Sequence, residues 1–217
     1  MSFVPDATDY TPVELILDRL IHLIGIFLGI IAAFALLDIA ARAGTRVFVA
    51  CLVYAASLVA MLVCSAAYHL ARSSARRVFL RRLDHAAIFL LIAGTYTPFT
   101  TCRLHGSWAV GMTAAVWSGA LAGVAIKLVS PHRLSGVSTS LYLALGWIVV
   151  VGIKAFIAVL DPMTLALLGL GGAVYSIGAP IHHWRSLRFH NAIWHAMVLI
   201  AAACHYAAIV HGIVLAG

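Results

Sequence analysis

Seven stretches of this chain are long enough to cross a membrane and contain no Asp, Glu, Lys or Arg. About 20 helical residues cross a hydrocarbon core of about 30 Å. Backbone groups in lipid must be satisfied within the segment, so stretches of this length are predicted to be helices rather than the shorter strands of a barrel. The predicted spans are residues 20–37, 47–69, 85–102, 104–126, 134–153, 162–184 and 189–215.

The composition excludes an ordinary soluble domain. Hydrophobic residues make up 64% of the chain and charged residues only 10%, whereas charged residues form about a quarter of soluble domains. The sequence therefore predicts an all-α integral membrane protein, a seven-transmembrane-helix bundle over residues 20–217, preceded by a segment of residues 1–19. Within that segment Thr11 is predicted to N-cap a helix that leads into the membrane, with Glu14 completing the cap three residues later.

The basic residues are distributed unevenly between the two sides of the predicted bundle. If the spans alternate, ten of the 14 Lys and Arg residues fall on one side, and Arg42, Arg46, Arg103 and Lys154 fall on the other. The positive-inside rule then predicts a cytoplasmic amino terminus and an external carboxyl terminus. The net charge of +7 is explained by this topology, so membrane lipids rather than nucleic acid are the predicted partners. The ten residues are Arg19, Arg72, Arg76, Arg77, Arg81, Arg82, Lys127, Arg133, Arg185 and Arg188.

Polar residues near the ends of three predicted spans share one membrane level. Ser65 and His69 lie four residues apart at the end of the second span and therefore share a helix face. Asp84 directly precedes the third span, and His190 and His195 lie at the start of the seventh. All three positions are predicted to be cytoplasmic, so the five side chains can converge. Ionisable groups within membrane spans are costly and indicate function.

These residue types fit a catalytic zinc site. Three neutral imidazoles with an open fourth position activate a bound water. In this hypothesis Asp84 is the base or holds the water, and Ser65 hydrogen-bonds the water, an imidazole or a substrate carbonyl. The alternative is that each histidine satisfies a helix end or hydrogen-bonds across the bundle. Five other histidines at span ends are assigned to interfacial solvation; they are His22, His105, His132, His182 and His183.

Three motifs closely resemble the hemolysin III family, bacterial proteins related to the progestin and adipoQ receptors. Residues 64–69 read CSAAYH, residues 82–99 read RLDHAAIFLLIAGTYTPF, and residues 191–195 read NAIWH, with His205 ten residues after His195. The resemblance runs from about the first span to the end of the chain. It implies seven helices with a cytoplasmic amino terminus, and for these bacterial proteins the inner membrane.

The resemblance also implies an intramembrane zinc held by one histidine of the second helix and two of the seventh. His69 and His195 match two of these ligands, and Ser65 and Asp84 match the family's nearby serine and aspartate. The family's third histidine falls at Asn191 here. We prefer His190 as the third ligand. On a regular helix His190 and His195 would point in directions about 140° apart around the helix axis, so both can bind one metal only if the helix begins late, near Asn191. A two-histidine or metal-free site is the alternative.

The sequence and its resemblance leave two functions in contention. The first is a ceramidase-like hydrolase in which metal-activated water attacks a lipid amide. The second is a pore-forming or membrane-disrupting protein in which the metal site is structural. A water-filled conduit requires a file of polar residues through the bundle, and the fourth and fifth spans offer few. The substrate, the identity of the metal and the oligomeric state are left open by the sequence.

Overall fold

The computed structural model describes residues 11–71, 73–129 and 138–216. All regular secondary structure within these ranges is helical, which confirms the predicted all-α class. Residues 1–10, Arg72, Arg133 and the predicted start of the fifth span at 134–137 lie outside the described part. The helices are α1 (Pro12–Arg42), α2 (Thr45–Leu70), α3 (Ser74–Cys102), α4 (Gly106–Val129), α5 (Ser138–Gly146), α6 (Ile153–Val159), α7 (Pro162–His183) and α8 (His190–Ile209).

Five of these helices are long and apolar enough to cross a membrane, namely α1, α2, α4, α7 and α8 with its π-helical extension Val210–Val214. The fifth predicted span is broken by a 3-10 turn, Trp147–Val150, between α5 and α6. Its two pieces are bent by 56° and count as a sixth span if they cross together. The helix also continues beyond the predicted boundary at residue 153, through Lys154 to Val159. The chain is a multi-pass membrane protein.

Helix α3 is less apolar than these five. Its first half carries four arginines, and its second half contains several threonines. The hydroxyl of Thr95 donates to the carbonyl of Leu91 at 2.8 Å, and that of Thr97 donates to the carbonyl of Ala93 at 2.8 Å. Because these bonds satisfy the hydroxyls within the helix, the second half of α3 is compatible with a lipid environment.

The N-terminus of α1 lies where the sequence predicts it. The Thr11 hydroxyl accepts from the amide of Glu14, and the Glu14 carboxylate accepts from the amide of Thr11 at 2.8 Å, which forms a capping box. From this cap the helix runs without interruption to Arg42, so residues 12–19 of the predicted N-terminal segment and the first span share one helix. One stripe of α1 is buried, and its members are Asp18, His22, Gly25, Gly29, Ala33, Leu36 and Ala40.

The helices pack in a sequence that brings the first and last together. Helix α1 packs against α2 and α8, α2 against α3, α3 against α4, and α7 against α8, whereas α5 and α6 make few contacts. The core contains Tyr54, Phe156 and Ile209, each almost fully buried. Large apolar side chains on the outer faces, such as Phe34 and Val110, are more than two-thirds exposed, as expected for surfaces that face lipid.

A polar cluster stabilises the start of α7, at the opposite end of the molecule from the start of α1. Asp161 caps α7 by accepting from the amides of Met163 and Thr164, each at 3.0 Å. The Thr164 hydroxyl donates to Asp161 Oδ2 at 2.5 Å and also lies 3.1 Å from His211 Nδ1. The hydroxyl and amide of Thr164 lower the pKa of Asp161 to about 2. The cap therefore contributes stability at neutral pH that is lost as the pH falls through about 2.

Close contact between α2 and α3 at Gly94 generates a prediction. A methyl group on Gly94 would overlap the Ser57 hydroxyl and would lie 2.8 Å from the Ser57 Cβ. Because that Cβ is fixed to the backbone, Gly94→Ala should push the helices apart and destabilise the protein by about 1–3 kcal/mol. The measurement is the thermal unfolding midpoint in detergent. Gly111→Ala is the matched control, since a Cβ there meets no atom of the described residues within 4 Å. Equal midpoints for the two variants would contradict this packing.

Candidate functional site

A buried carboxylate links the two histidines that the sequence singles out on different helices. Asp18 Oδ1 lies 2.6 Å from His195 Nδ1, and Asp18 Oδ2 lies 3.0 Å from His69 Nδ1. Asp18 is only 8% exposed. An ionised carboxylate only accepts hydrogen bonds, so each Nδ1 carries the hydrogen and, in a neutral ring, each Nε2 keeps its lone pair. One acidic side chain of α1 thus sets the tautomer of imidazoles on α2 and α8.

His22, one turn after Asp18 on α1, completes a cluster of three imidazoles. Its Nδ1 donates to the backbone carbonyl of Asp18 at 2.7 Å, which leaves Nε2 as the acceptor, 3.3 Å from the Ser65 hydroxyl. The ring of His22 stacks on His69 with centroids 4.7 Å apart and meets His195 edge-on at 4.3 Å. All three rings therefore have Nδ1 engaged, and His22 Nε2 has to release Ser65 before it can bind a metal ion.

This donor set fits a metal ion. One ligating atom from each of Asp18, His22, His69 and His195 lies within 4.8 Å of the other three. Ligand atoms about 2.1 Å from a tetrahedral zinc lie roughly 3.4 Å apart, so atoms separated by as much as 4.8 Å have to approach one another to bind it. Histidine ligands usually donate their second ring N–H to a carboxylate or a backbone carbonyl, and all three rings do so here. His22, His69 and His195 are thus suited to hold the ion, with Asp18 as a ligand or as the group that orients two of them.

Ser65 and Asp84 lie beside this cluster, as the sequence predicts. Ser65 is 9% exposed and lies within hydrogen-bonding reach of both His22 Nε2 and the Asp84 carboxylate, so its single hydrogen is donated to one of these two acceptors at a time. Asp84 also interacts electrostatically with His69. Ser65 therefore lies between His22 and Asp84. The structure brings together four of the five predicted site residues, Ser65, His69, Asp84 and His195.

The structure places His190 differently. It is the first residue of α8, one residue before the predicted start, and its Nδ1 lies 3.1 Å from the carbonyl of Leu187. His190 and Asn191 both line the cavity described below, but neither belongs to the four-residue cluster. His22 occupies the position expected of a third imidazole. The ligand role of His190 stays a prediction.

A contact between the first turn of α1 and the turn before α8 holds this arrangement. Phe189 adopts a left-handed conformation with φ of 63°, and its amide donates to Glu14 Oε1 at 2.9 Å. A non-glycine residue rarely adopts this conformation and needs the surrounding structure to maintain it. Glu14 thereby connects the capping box of α1 to the start of α8 and helps to position His195.

The cluster opens into a cavity of about 1180 Å³ whose walls are mostly hydrocarbon. Asp18, Ser65, His69, Asp84 and His195 lie at one end of it. The cavity continues between α3, the bent α5–α6 segment and α7. It extends past apolar side chains to a deeper polar region, and the residues along this path include Leu91, Val149, Phe156, Leu165, Leu168, Tyr175 and His205.

The sequence patterns do not identify Asp18 and His22 as site residues. Asp18 falls in the segment before the membrane because the predicted spans are cut at charged residues. His22 is assigned to interfacial solvation because it lies at the end of a predicted span. A signal for both residues exists in the spacing. They continue, at intervals of three and four residues, the stripe that contains Gly25 and Gly29. Small residues at this spacing mark a helix face in close contact with other helices, so polar residues on the same stripe face the bundle interior.

Comparisons with known proteins cover most of the chain. A family model described as "Haemolysin-III related" matches residues 14–206, a range that contains every site residue named above. A "Hemolysin-3 homolog" of Bacillus subtilis (strain 168) is 34% identical over 198 residues, which are 91% of this chain and 93% of that protein. "Hemolysin-3" of Bacillus cereus is 36% identical over 191 residues, 88% and 87% of the two chains. The human "Monocyte to macrophage differentiation factor" is 27% identical over 168 residues, 72% and 67% of the two chains.

The geometry predicts which histidines retain a metal. Protein purified in detergent should contain about one zinc per chain, as a site with three imidazoles predicts. The variants His22→Ala and His69→Ala should lose it, whereas His190→Ala and Asn191→Ala should keep it. The measurement is metal content by mass spectrometry, with His105→Ala as a control outside the cluster. Loss in the His190 variant and retention in the His22 variant would restore the assignment made from the sequence.

Asp18 should contribute to metal affinity through the imidazoles that it orients. Asp18→Ala removes the acceptor for two ring N–H groups, so we expect zinc affinity to fall by at least about 10–100-fold. Competition with a fluorescent chelator measures this change. Asp38→Ala is the control, because Asp38 is an exposed residue of α1 that pairs with Arg42 at 3.1 Å. Unchanged affinity in the Asp18 variant would mean that the imidazoles are oriented by other contacts.

Proposed function

Because the chain belongs to the haemolysin-III-related family, we propose that it is a membrane hydrolase that cleaves a lipid amide, as a ceramidase does. The observation that carries this proposal is the buried cluster of three imidazoles and a carboxylate at one end of a large cavity lined mainly by hydrocarbon. Such a cavity suits a substrate with one reactive polar end and a long apolar remainder. Its volume of about 1180 Å³ exceeds the roughly 300–1,000 Å³ of most small-molecule pockets.

We propose the bacterial inner membrane as its location, with seven spans and a cytoplasmic amino terminus. The count of seven includes α3, whose threonines are satisfied within the helix, and treats the bent α5–α6 segment as one span. The excess of basic residues near the start of α3 and after α7 supports the orientation. With alternating spans, the end of α2 and the starts of α1, α3 and α8 share one membrane level. The contacts of Asp18 with His69 and His195 are consistent with that arrangement.

We propose zinc as the metal, held by His69, His195 and a third histidine. The contacts of His22 support it as the third ligand, and His190 is the candidate from sequence. A bound zinc ion supplies Lewis acidity and a nucleophilic water at neutral pH. Asp18 keeps the rings of His69 and His195 oriented by accepting their Nδ1 hydrogens. This orientation leaves their Nε2 atoms free.

Asp84 and Ser65 are the proposed catalytic residues. In the hydrolysis the water oxygen forms a bond with the amide carbon, and the carbon–nitrogen bond breaks. Asp84 accepts the proton that the water loses and returns it to the leaving amine nitrogen. Ser65 hydrogen-bonds the Asp84 carboxylate and so restricts its orientation towards the reacting atoms. The products are a fatty acid and an amine.

A pore-forming or membrane-disrupting protein is the second candidate, and the names of the two Bacillus relatives favour it. In that case the metal site would be structural. The largely hydrocarbon walls of the cavity argue against a hydrated conduit, since ion paths are lined by polar groups. Release of a dye from liposomes that contain the purified protein would support the pore, and a sealed liposome at high protein loading would exclude it.

The hydrolase proposal separates the base from the metal ligands. Asp84→Asn should lower the turnover of a long-chain lipid amide by about 10²–10⁴-fold while zinc stays bound, because only proton transfer is lost. His69→Ala should lose both activity and metal. The measurement combines release of fatty acid from a panel of lipid amides with metal content.

Asp38→Asn is the matched control for the charge change, since Asp38 is exposed and lies at the other end of α1. Full activity in the Asp84 variant would remove Asp84 from the mechanism. Full activity in the His69 variant would remove the metal centre from it.

A further inference from the structure

Arginines line the cavity at the end where Asp18 and the three imidazoles lie. Four of them contribute to its lining: Arg19 from α1, Arg77 and Arg81 from α3, and Arg185 from the turn after α7. We call these four residues the arginine mouth. Basic residues on the cytoplasmic side of a membrane protein serve topology in general, so a ligand-binding role requires contacts that distinguish the cavity-lining arginines from others nearby.

The acidic residues that line the same end of the cavity already have partners. The Glu14 carboxylate accepts hydrogen bonds from the amides of Thr11 and Phe189 at 2.8 and 2.9 Å. Asp18 accepts from two imidazoles, and Asp84 hydrogen-bonds Ser65. Three carboxylates and four arginines contribute to the lining at this end, so its formal charge is positive.

Arg77 is positioned at this mouth by Tyr68. Its guanidinium lies 5.7 Å from the centre of the Tyr68 ring and hydrogen-bonds the Tyr68 hydroxyl. Arg77 and Arg81 lie one helical turn apart on α3, so both present their side chains to the cavity from the same helix face.

Arg81 is the member of the arginine mouth that interacts with a proposed catalytic residue. It is half-buried, and it interacts electrostatically with Asp84, Tyr68 and the buried Lys127. An anion bound by Arg81 would therefore lie close to the residue proposed to move the proton. This places the charge of a ligand at the polar end of the cavity and its apolar part inside.

We propose that the arginine mouth binds the phosphate of an anionic lipid headgroup, whose acyl chain occupies the cavity. Guanidinium groups pair with phosphate oxygens through two parallel hydrogen bonds. A headgroup without a phosphate cannot form this pair. The apolar cavity continuous with the mouth selects a lipid over a soluble phosphate. This inference rests on the proposed function in one respect: it makes the substrate a lipid amide with a phosphate-bearing, net-negative headgroup rather than a neutral ceramide.

Lipid binding by the purified protein in a neutral detergent tests this proposal. The probes are phosphatidylglycerol and phosphatidylcholine with identical acyl chains, and dissociation constants are measured by native mass spectrometry. Wild type should bind phosphatidylglycerol roughly tenfold more tightly, as one additional charge-assisted contact predicts. Arg77→Gln and Arg81→Gln should each lose most of that preference, and Arg77→Lys should retain part of it.

Arg76→Gln is the matched control, because Arg76 lies on the same helix, is exposed and is absent from the cavity lining. It should change the preference by less than about twofold, the effect of screened surface charge. A loss equal to that of Arg81→Gln would overturn the proposal in favour of general leaflet electrostatics. Equal binding of the two lipids by wild type would overturn it as well. Size-exclusion elution identifies any variant that fails to fold, and Arg77→Lys then carries the test at Arg77.

Two further arms separate this proposal from its alternatives. Inorganic phosphate in excess should displace phosphatidylglycerol only weakly, and full displacement would identify a soluble phosphate as the ligand. Phosphatidylglycerol contains no amide, so its binding does not depend on turnover. If wild type prefers phosphatidylglycerol but hydrolyses no lipid amide, the anionic-lipid site is supported and the hydrolase is rejected. Hydrolysis of neutral lipid amides without headgroup preference would do the reverse.

Discussion

The paired contacts of the Asp18 carboxylate with His69 and His195 organise the functional end of this protein. A carboxylate within a membrane protein is costly unless its oxygens are hydrogen-bonded, and here each oxygen accepts from a different helix. The contact therefore fixes the relative positions of α1, α2 and α8. It also determines which nitrogen of each ring is free. The packing of three helices and the orientation of two imidazoles therefore depend on the same two hydrogen bonds.

The rest of the bundle makes these bonds possible by bringing α1 close to its neighbours. Gly25 and Gly29 lie on the same stripe as Asp18 and His22, and a side chain at either glycine would meet Leu199 or Leu62. Without a hydrophobic driving force between helices in lipid, close approach of small residues supplies the packing energy. The polar cluster thus lies at the end of a packed seam. The left-handed Phe189, hydrogen-bonded to Glu14, holds the start of α8 against the same helix.

Much of this structure is predictable from the sequence, and the failures have physical causes. The helical class, the cap at Thr11 and Glu14, and the proximity of Ser65, His69, Asp84 and His195 all follow from local patterns and shared membrane depth. Asp18 is missed because the predicted spans are cut at charged residues. His22 is missed because its place at the end of a span is explained by interfacial solvation. Cutting the spans in this way fails where a charged residue is buried with partners from other helices, since the cost is offset by contacts that no local pattern shows. The break in the fifth span also involves another helix, because the Tyr96 hydroxyl of α3 donates to the Gly146 carbonyl at 2.5 Å and accepts from the Val149 amide at 3.1 Å.

The origin of the cluster in the first, second and last helices has a consequence for biosynthesis. Asp18 and His195 are separated by 177 positions in the chain. The chain is synthesised from its amino terminus, so a nascent chain without α8 contains Asp18, His22 and His69 but lacks the imidazole of His195. In such a chain one of the two Asp18 oxygens lacks its imidazole donor. The hydrogen bonding of this buried carboxylate is therefore completed only once α8 has packed against α1.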